Sequence, residues 1–366
     1  NNRFLRFWYE VDLNKVGFEM EDSEQAQASR RKWFPYNKGG AHRKWYGNQD
    51  YLVNWEHDGS EIRNNVDDRG KQRSRPQNTR YYFREGITWS FNVSSHFSVR
   101  YTPKGFVFDV NGSSLFPESS QLPYLLGFLC SKLAYEFLSF LNPTFSFQVG
   151  DVGSLPIKTD KTYFNRVDTM VKECIQISKH DWDSFEDSWD FQRHPLLVHQ
   201  DGSSIEQAFN KWSDFAEEQF QQLKANEEEL NRIFIGIYGL EDELTPEVAD
   251  EDITIRRADR ERDVRSFISY AVGCMFGRYS LDEEGLVYAG GDFDSGRYES
   301  FPVVEDNILT ILDDQYFDND IVSRFVDFVK VTFGSEMLEQ NLEYIADSLK
   351  RSASDTARET IRKYFL

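Results

Sequence analysis

The twenty residues from Leu122 to Leu141 carry two charges, Lys132 and Glu136, in a chain that is otherwise polar and acidic. A run this apolar must be covered, and its length is close to the ~20 residues a membrane-spanning helix needs. The two mid-run charges argue for a helix buried in a protein core instead. Pro123 suits a first helical turn, and Asn142-Pro143 ends the run. The spacing predicts one helix over 122–141, and the rest of the chain has to supply the core that hides it.

The preceding residues have strand chemistry. Arg3–Val11 is aromatic and β-branched, Trp33–Asn37 is held extended by Pro35, and Tyr51–Trp55 ends at the turn signal His57-Asp58-Gly59. Ser23–Arg31 reads as a loop or short helix. Glu61–Gln77 reads as a loop, or as a polar helix and a loop. Gly86–Val110 alternates and contains the turn Pro103-Lys104-Gly105, which predicts two or three strands. Phe145–Val149 reads as a short strand, followed by a loop over 150–156. Trp33, Phe34, Tyr36, Trp45, Tyr46 and Trp89 are expected to build a core rather than stack on a ligand, because aromatic burial dominates small cores.

Beyond Ile157 the periodicity becomes helical. Lys161–Lys179 repeats apolar residues at helix spacing, and 181–199 is an acidic, aromatic connector. Ser203-Ser204-Ile205-Glu206 resembles a capping box that opens a helix to Tyr238, with Gly239 as its stop. Further helices are predicted over 259–278, 319–333, 335–349 and 354–365. The fold class is mixed α/β of the α+β kind, with domains at 1–158 and 203–366 and a connector over 159–202.

Net charge is −20. Between Arg30 and Lys104, however, fifteen Lys and Arg face seven Asp and Glu, a local surplus of eight positive charges. A basic patch on an acidic protein is the footprint of an anionic partner. Within it, Arg73, Arg75, Gln77 and Asn78 combine the side chains that fit guanine and adenine edges in the major groove of duplex DNA. Asn92, Ser94 and Ser95 add polar groups on a following strand or loop. Lys38, Arg43 and Lys44 flank Gly39-Gly40, where bare backbone lets phosphate approach. Lys71, Arg80, Arg84 and Lys104 are the further phosphate candidates. A solvated hydrophilic loop and a Gly turn with surface charges have the same composition.

Cys130, Cys174 and Cys274 stand far apart, without metal or disulfide spacing, which suits buried thiols in a reducing, cytoplasmic setting. The six histidines show no metal spacing and no pairing with a nucleophile. The Gly-rich 285–296 segment, with Asp292 and Asp294, lacks the spaced carboxylates of a calcium loop. No cluster of acids with a lysine suggests a nuclease. The chain opens at Asn1 without Met, in strand-like sequence, and is expected to be part of a longer protein.

The run Asn142–Ile157, with its Leu155-Pro156 turn, resembles the specificity domains of type I and type IIG restriction-modification proteins. In those, a packed helix leads through an extended segment to a long spacer helix, the place held here by 203–238. A wider resemblance is to the C-terminal half of the PglX family, the adenine-specific DNA methyltransferases of BREX phage-defence systems. It rests on Trp33–Gly40, Arg43–Asn48, Gly86–Ser90, Leu230–Ile235, Ile237–Leu240 and Ala271–Ser280. This resemblance implies a target recognition module for double-stranded DNA in a bacterial, cytoplasmic protein, with no membrane contact. It also implies an S-adenosylmethionine-dependent methyltransferase domain elsewhere in the polypeptide. Other defence-system proteins, or a phage protein that mimics DNA, are further partners it suggests. The rival reading is an interaction scaffold whose basic patch binds an acidic protein.

No catalytic residue, cofactor or metal is assigned within the chain. Asn142-Pro143-Thr144-Phe145 falls one proline short of the Asn/Asp-Pro-Pro-aromatic loop that holds a flipped adenine. Gly150-Asp151-Val152-Gly153 precedes a Leu-Pro turn rather than the helix expected after a cofactor loop.

Overall fold

Ser131 divides the apolar run. The computed structural model describes residues 3–93 and 96–366. In it the expected single helix over 122–141 is two, bent by 71° at this serine. Ser131 is extended (φ −75°, ψ 155°). Its hydroxyl donates to the Phe128 carbonyl at 2.6 Å and accepts from the Ala134 N–H at 3.4 Å. The first free N–H of the second helix, that of Lys132, donates to Asn231 Oδ1 at 2.9 Å. A serine able to cap, with a tertiary partner for the exposed amide, outweighs the apolar composition that favoured continuity. Among the described residues no single helix is long and apolar enough to cross a membrane.

The helices in chain order are α1 (Ser23–Ala28), α2 (Glu56–Arg63), α3 (Leu122–Cys130), α4 (Lys132–Leu141), α5 (Val149–Gly153), α6 (Phe164–Asp183), α7 (Pro195–Val198), α8 (Ile205–Tyr238), α9 (Arg260–Met275), α10 (Ile321–Phe333), α11 (Leu338–Ser348) and α12 (Ala357–Phe365). The strands are β1 (Leu5–Phe7), β2 (Trp33–Asn37), β3 (Tyr51–Asn54), β4 (Gly86–Ser90), β5 (Val99–Thr102), β6 (Val107–Phe108) and β7 (Gly112–Leu115). The class is α+β, as expected. Two compact units form, one from residues 1–182 and 220–255, the other from 183–219 and 256–366. Both are discontinuous, whereas the expected domains were continuous stretches.

The first unit holds both sheets. One has the order β1-β3-β2-β6, with β2 and β6 parallel and its other pairs antiparallel. The other is antiparallel, β5-β4-β7. Gly112 lets β7 pass close to β2, since a Cβ there would meet the Asn37 carbonyl oxygen at 2.3 Å. The turn after β3 is left-handed at three successive residues, His57, Asp58 and Gly59. Phe34, Tyr36, Trp45, Tyr46 and Trp89 are buried, and Trp33 is half-buried, so the aromatics serve mainly as core. Phe34 and Tyr36 pack with Val53, Trp55, Phe83 and Val107, whereas the cluster of Trp45 and Trp89 continues into α3, α4, α6 and the later turns of α8 through Leu126, Phe128, Leu133, Val167, Val171, Leu230 and Phe234.

Two short elements differ from expectation. Only Leu5–Phe7 of the first segment is strand, and it passes into a 3₁₀ turn at Trp8–Glu10 whose Glu10 carboxylate accepts from the Phe7 N–H. Phe145–Val149 forms no strand beyond one bridge, Asn92 to Ser146. Asp151 accepts from the Gln148 N–H at 2.9 Å and caps α5, which winds residues expected to be loop.

In the second unit, Val264, Phe267, Ile268, Phe325, Phe328, Phe333, Leu342, Ile345 and Ile361 interlock α9 to α12. Asp259, Asp320 and Thr356 cap α9, α10 and α12. The early turns of α8 contribute Ile205, Ala208, Trp212 and Ala216 to this unit. Its later turns contribute Phe220, Leu223, Leu230 and Phe234 to the first unit. Gly239 (φ 70°) stops α8 at its predicted end.

Candidate nucleic-acid interface

The basic run is folded into a small hairpin. Asp67 organises it: its carboxylate accepts from the N–H groups of Arg69 (3.0 Å) and Lys71 (2.8 Å), and its own N–H donates to the Lys71 carbonyl (2.8 Å). A bridge joins Val66 to Gln72, the Arg73 N–H donates to the Asn65 carbonyl (2.8 Å), and the Asn65 amide donates to Ser74 Oγ (2.7 Å). The hairpin leads through Pro76 to a 3₁₀ turn, Thr79–Tyr81, entered by Asn78 in the left-handed region (φ 55°). Lys71, Arg73, Arg75, Gln77, Asn78, Arg80 and Arg84 are all exposed. Neither alternative reading of Glu61–Gln77 anticipated a hairpin, because the aspartate that ties it lies in sequence with no strand chemistry.

Beside this segment opens a cleft of about 1040 Å³. Its lining includes Val53 from β3, Tyr36 from β2, Phe108 from β6, Ser113 and Ser114 from β7, and the Ser74–Asn78 stretch. Of the sequence-predicted residues it brings together Lys38, Arg75, Gln77, Asn78 and Arg80. Lys71, Arg73, Arg84, Asn92 and Lys104 are not among the lining residues. Lys38 Nζ sits 4.4 Å from the Tyr51 ring centroid, and Arg80 and Arg84 lie 4.8 and 5.6 Å from that of Tyr81. Tyr81 stacks on Phe116, with ring centroids 5.4 Å apart and planes 9° from parallel.

Two phenols of the cleft, those of Tyr36 and Tyr82, are held in their protonated form. Burial raises the Tyr36 pKa well above its ordinary value, and Asp109, which hydrogen-bonds the phenol, adds to the shift. Burial pushes Tyr82 up to about 12 despite the opposing charge of Arg63. The site therefore presents neutral O–H groups inside a cationic rim. Sequence reasoning missed Tyr81, Phe108 and Phe116 as parts of this cleft. The signal was the Arg80-Tyr81-Tyr82-Phe83-Arg84 run, where aromatics interrupt the cations.

Two expected phosphate contacts are corrected. Arg43 is buried and paired with Asp181 at 2.6 Å, and its guanidinium also donates to the carbonyls of Tyr46 (2.7 Å) and Ser178 (3.2 Å). Lys44 is paired with Glu227 at 2.6 Å, both side chains largely enclosed. Glu227 also accepts from the Trp45 indole N–H at 2.8 Å. Burial alone would lower the Lys44 pKa; the adjacent Glu227 carboxylate outweighs it and raises it. These two cations fix the core rather than meet a ligand. Lys104 bonds Glu21 in an exposed pair at 2.6 Å, a contact too weak to withhold it from phosphate. Asn92 accepts from Ser146 Oγ at 2.6 Å on the exposed edge. Ser94 and Ser95 lie outside the described residues.

No model of a known protein family matches the chain. Two curated proteins do. "Adenine-specific methyltransferase PglX" of Lacticaseibacillus casei (strain Zhang) is 45% identical over 372 residues, covering 100% of this chain and 30% of that protein. "Adenine-specific methyltransferase BrxX" of Escherichia coli O9:H4 (strain HS) is 35% identical over 391 residues, covering 99% of this chain and 31% of that protein. The chain is homologous to one part of the PglX/BrxX adenine-specific methyltransferases.

The chain thus spans about 30% of the length of these PglX and BrxX relatives. Its nearest approach to a flipped-adenine loop does not fit that task. The Asn142 amide N–H₂ donates to the Ser146 carbonyl (2.8 Å) and Asp151 Oδ2 (2.7 Å), while Asn142 Oδ1 accepts from the Thr144 N–H and hydroxyl. The side chain that would grip the base is consumed in shaping its own turn. Gly150 and Gly153 belong to the short helix α5, not to a strand-to-helix turn, so this segment does not fit S-adenosylmethionine either.

Proposed function

We propose that this chain is the DNA-sequence recognition part of a site-specific N6-adenine methyltransferase of the BREX phage-defence type. Methyl transfer itself then belongs to residues outside these 366. The observation that supports the reading is the exposed hairpin and 3₁₀ segment 71–84, which carries seven exposed cations or proposed base-reading amides, four of which (Arg75, Gln77, Asn78 and Arg80) line a cleft with Lys38. Arg73, Arg75, Gln77 and Asn78 read base edges, with Asn92 on the neighbouring edge. Lys38, Lys71, Arg80, Arg84 and Lys104 set register on phosphates. Arg43 and Lys44 drop out of the phosphate set because their charges are already neutralised inside the fold.

Two measurements test this. Anisotropy titrations with duplex DNA should show affinity falling linearly in log–log plots against salt, through counterion release. In the methyltransferase that carries this chain, replacing Arg73 and Arg75 should change the marked site or abolish marking, read by single-molecule sequencing. An unchanged methylated motif would remove the readout role. If an acidic protein binds the patch and duplex DNA never displaces it, the scaffold reading replaces this one.

A further inference from the structure

Groove reading leaves the cleft itself unexplained. A protein reads the major groove with something convex, a helix or ribbon that enters a channel ~12 Å wide. The Asn65–Ser74 hairpin has that form. The neighbouring cleft is concave, and its volume of about 1040 Å³ is in the range of small-ligand sites, ~300–1,000 Å³, and far too small for a double helix.

Its lining combines aromatic rings, amides and the cations Lys38, Arg75 and Arg80 with one carboxylate, Asp109, which the Tyr36 phenol hydrogen-bonds. Tyr81 stacks on Phe116 and carries the Arg80 guanidinium 4.8 Å from its ring centroid, and all three line the cleft, so planar aromatic and cationic groups meet in its wall. Unpaired bases stack on such guanidinium and aromatic planes. Asn78 lines the same cleft with an amide for a base edge, and Lys38 supplies a charge for phosphate.

We infer that the cleft bounded by Phe116, Tyr81, Arg80, Asn78 and Lys38 binds one unstacked nucleotide. This rests on the DNA-recognition reading when the nucleotide comes from a distorted duplex, and stands apart from it when the nucleotide is free in solution. Base and phosphate chemistry are shared by the two sources.

The test compares three probes against the 366-residue chain: a short paired duplex, the same duplex with one unpaired adenosine nucleotide, and AMP. The expected result is about tenfold tighter binding of the bulged duplex than of the paired one, the size of one stacking interaction. In Tyr81→Leu, Phe116→Leu and Arg80→Leu the bulged-to-paired ratio falls toward one. Arg80 is exposed, so its replacement does not disturb the core and keeps the test valid if a ring variant fails to fold. AMP binding that these variants abolish, with bulged and paired duplexes equal, assigns the same cleft to a free nucleotide. Equal duplex affinities without AMP binding overturn the nucleotide site and leave groove reading standing. A bulge preference that survives all three variants overturns the placement in this cleft. Failure to bind any of the three probes overturns both the site and the DNA reading.

Discussion

Arg43 and Asp181 form an ion pair at 2.6 Å with both side chains less than a tenth exposed. One partner lies in the loop between β2 and β3, the other near the end of α6, so the pair ties the sheets of the first unit to a helix far along the chain. Removing one member strands the other charge in a poorly solvated place. Asp181→Ala should therefore lower stability by ~3–5 kcal/mol, read from urea unfolding. Arg43→Met combined with Asp181→Leu should recover part of that loss, because no charge is then left unpaired. A single mutant within ~1 kcal/mol of wild type would refute this role.

In the second unit, Asp320 is fully buried beside Arg362, with Nη1 to Oδ2 at 2.6 Å. Burial opposes its charge, but hydrogen bonds from Ser323 and Arg362 outweigh burial and lower its pKa below the ordinary value. A carboxylate lowered on folding stabilises fully above its unfolded pKa of ~3.9. That contribution disappears as pH falls through the folded value. The stability gap between wild type and Asp320→Asn should therefore be widest near neutrality and shrink below about pH 4. A gap that stays constant through acid would sink the assignment.

The bend at Ser131 depends on a cap and a tertiary acceptor. Ser131→Ala should cost ~1 kcal/mol, the usual loss on removing an N-cap hydroxyl. Asn231→Ala leaves the Lys132 N–H without its acceptor, at ~1–3 kcal/mol. Thermal melts of the two single mutants measure both. Indifference to either change would mean that packing alone sets the bend.

The corrected cations give a contrast in DNA binding. Lys71→Ala and Arg84→Ala, two of the proposed phosphate contacts, should each flatten the slope of log affinity against log salt by ~1. Lys44→Met should leave that slope alone while lowering the melting temperature, because Lys44 neutralises Glu227 instead of phosphate. A flattened slope in Lys44→Met, with unchanged melting, would reverse the two roles.

Much of the architecture was legible because it follows from local chemistry. The Ser203-Ser204-Ile205-Glu206 start and Gly239 stop of α8 depend on capping and left-handed conformation, which residue type reveals directly. So do β2, held extended by Pro35, and the left-handed turn at His57-Asp58-Gly59. The misplaced features depend on partners distant in sequence. Nothing near Ser131 points to Asn231, nothing near Arg43 points to Asp181, and nothing near Lys44 points to Glu227. A cation beside a Gly-Gly pair reads the same whether it faces solvent or a carboxylate more than a hundred residues away. The exposed run 71–80 was legible for the opposite reason, since its dense polarity cannot be buried. Its hairpin form was not, because a single aspartate supplies the ties that strand propensity would otherwise provide.

The long helix α8 gives its opening turns to one hydrophobic core and its closing turns to the other. Under the proposed recognition role, chimaeras meant to exchange target preference between relatives therefore cannot take the first 158 residues as a cassette. A transplanted segment would arrive without Phe220, Leu223, Leu230 and Phe234, and its apolar floor would meet water. Functional hybrids should instead need two grafts, 1–182 and 220–255, drawn from the same donor.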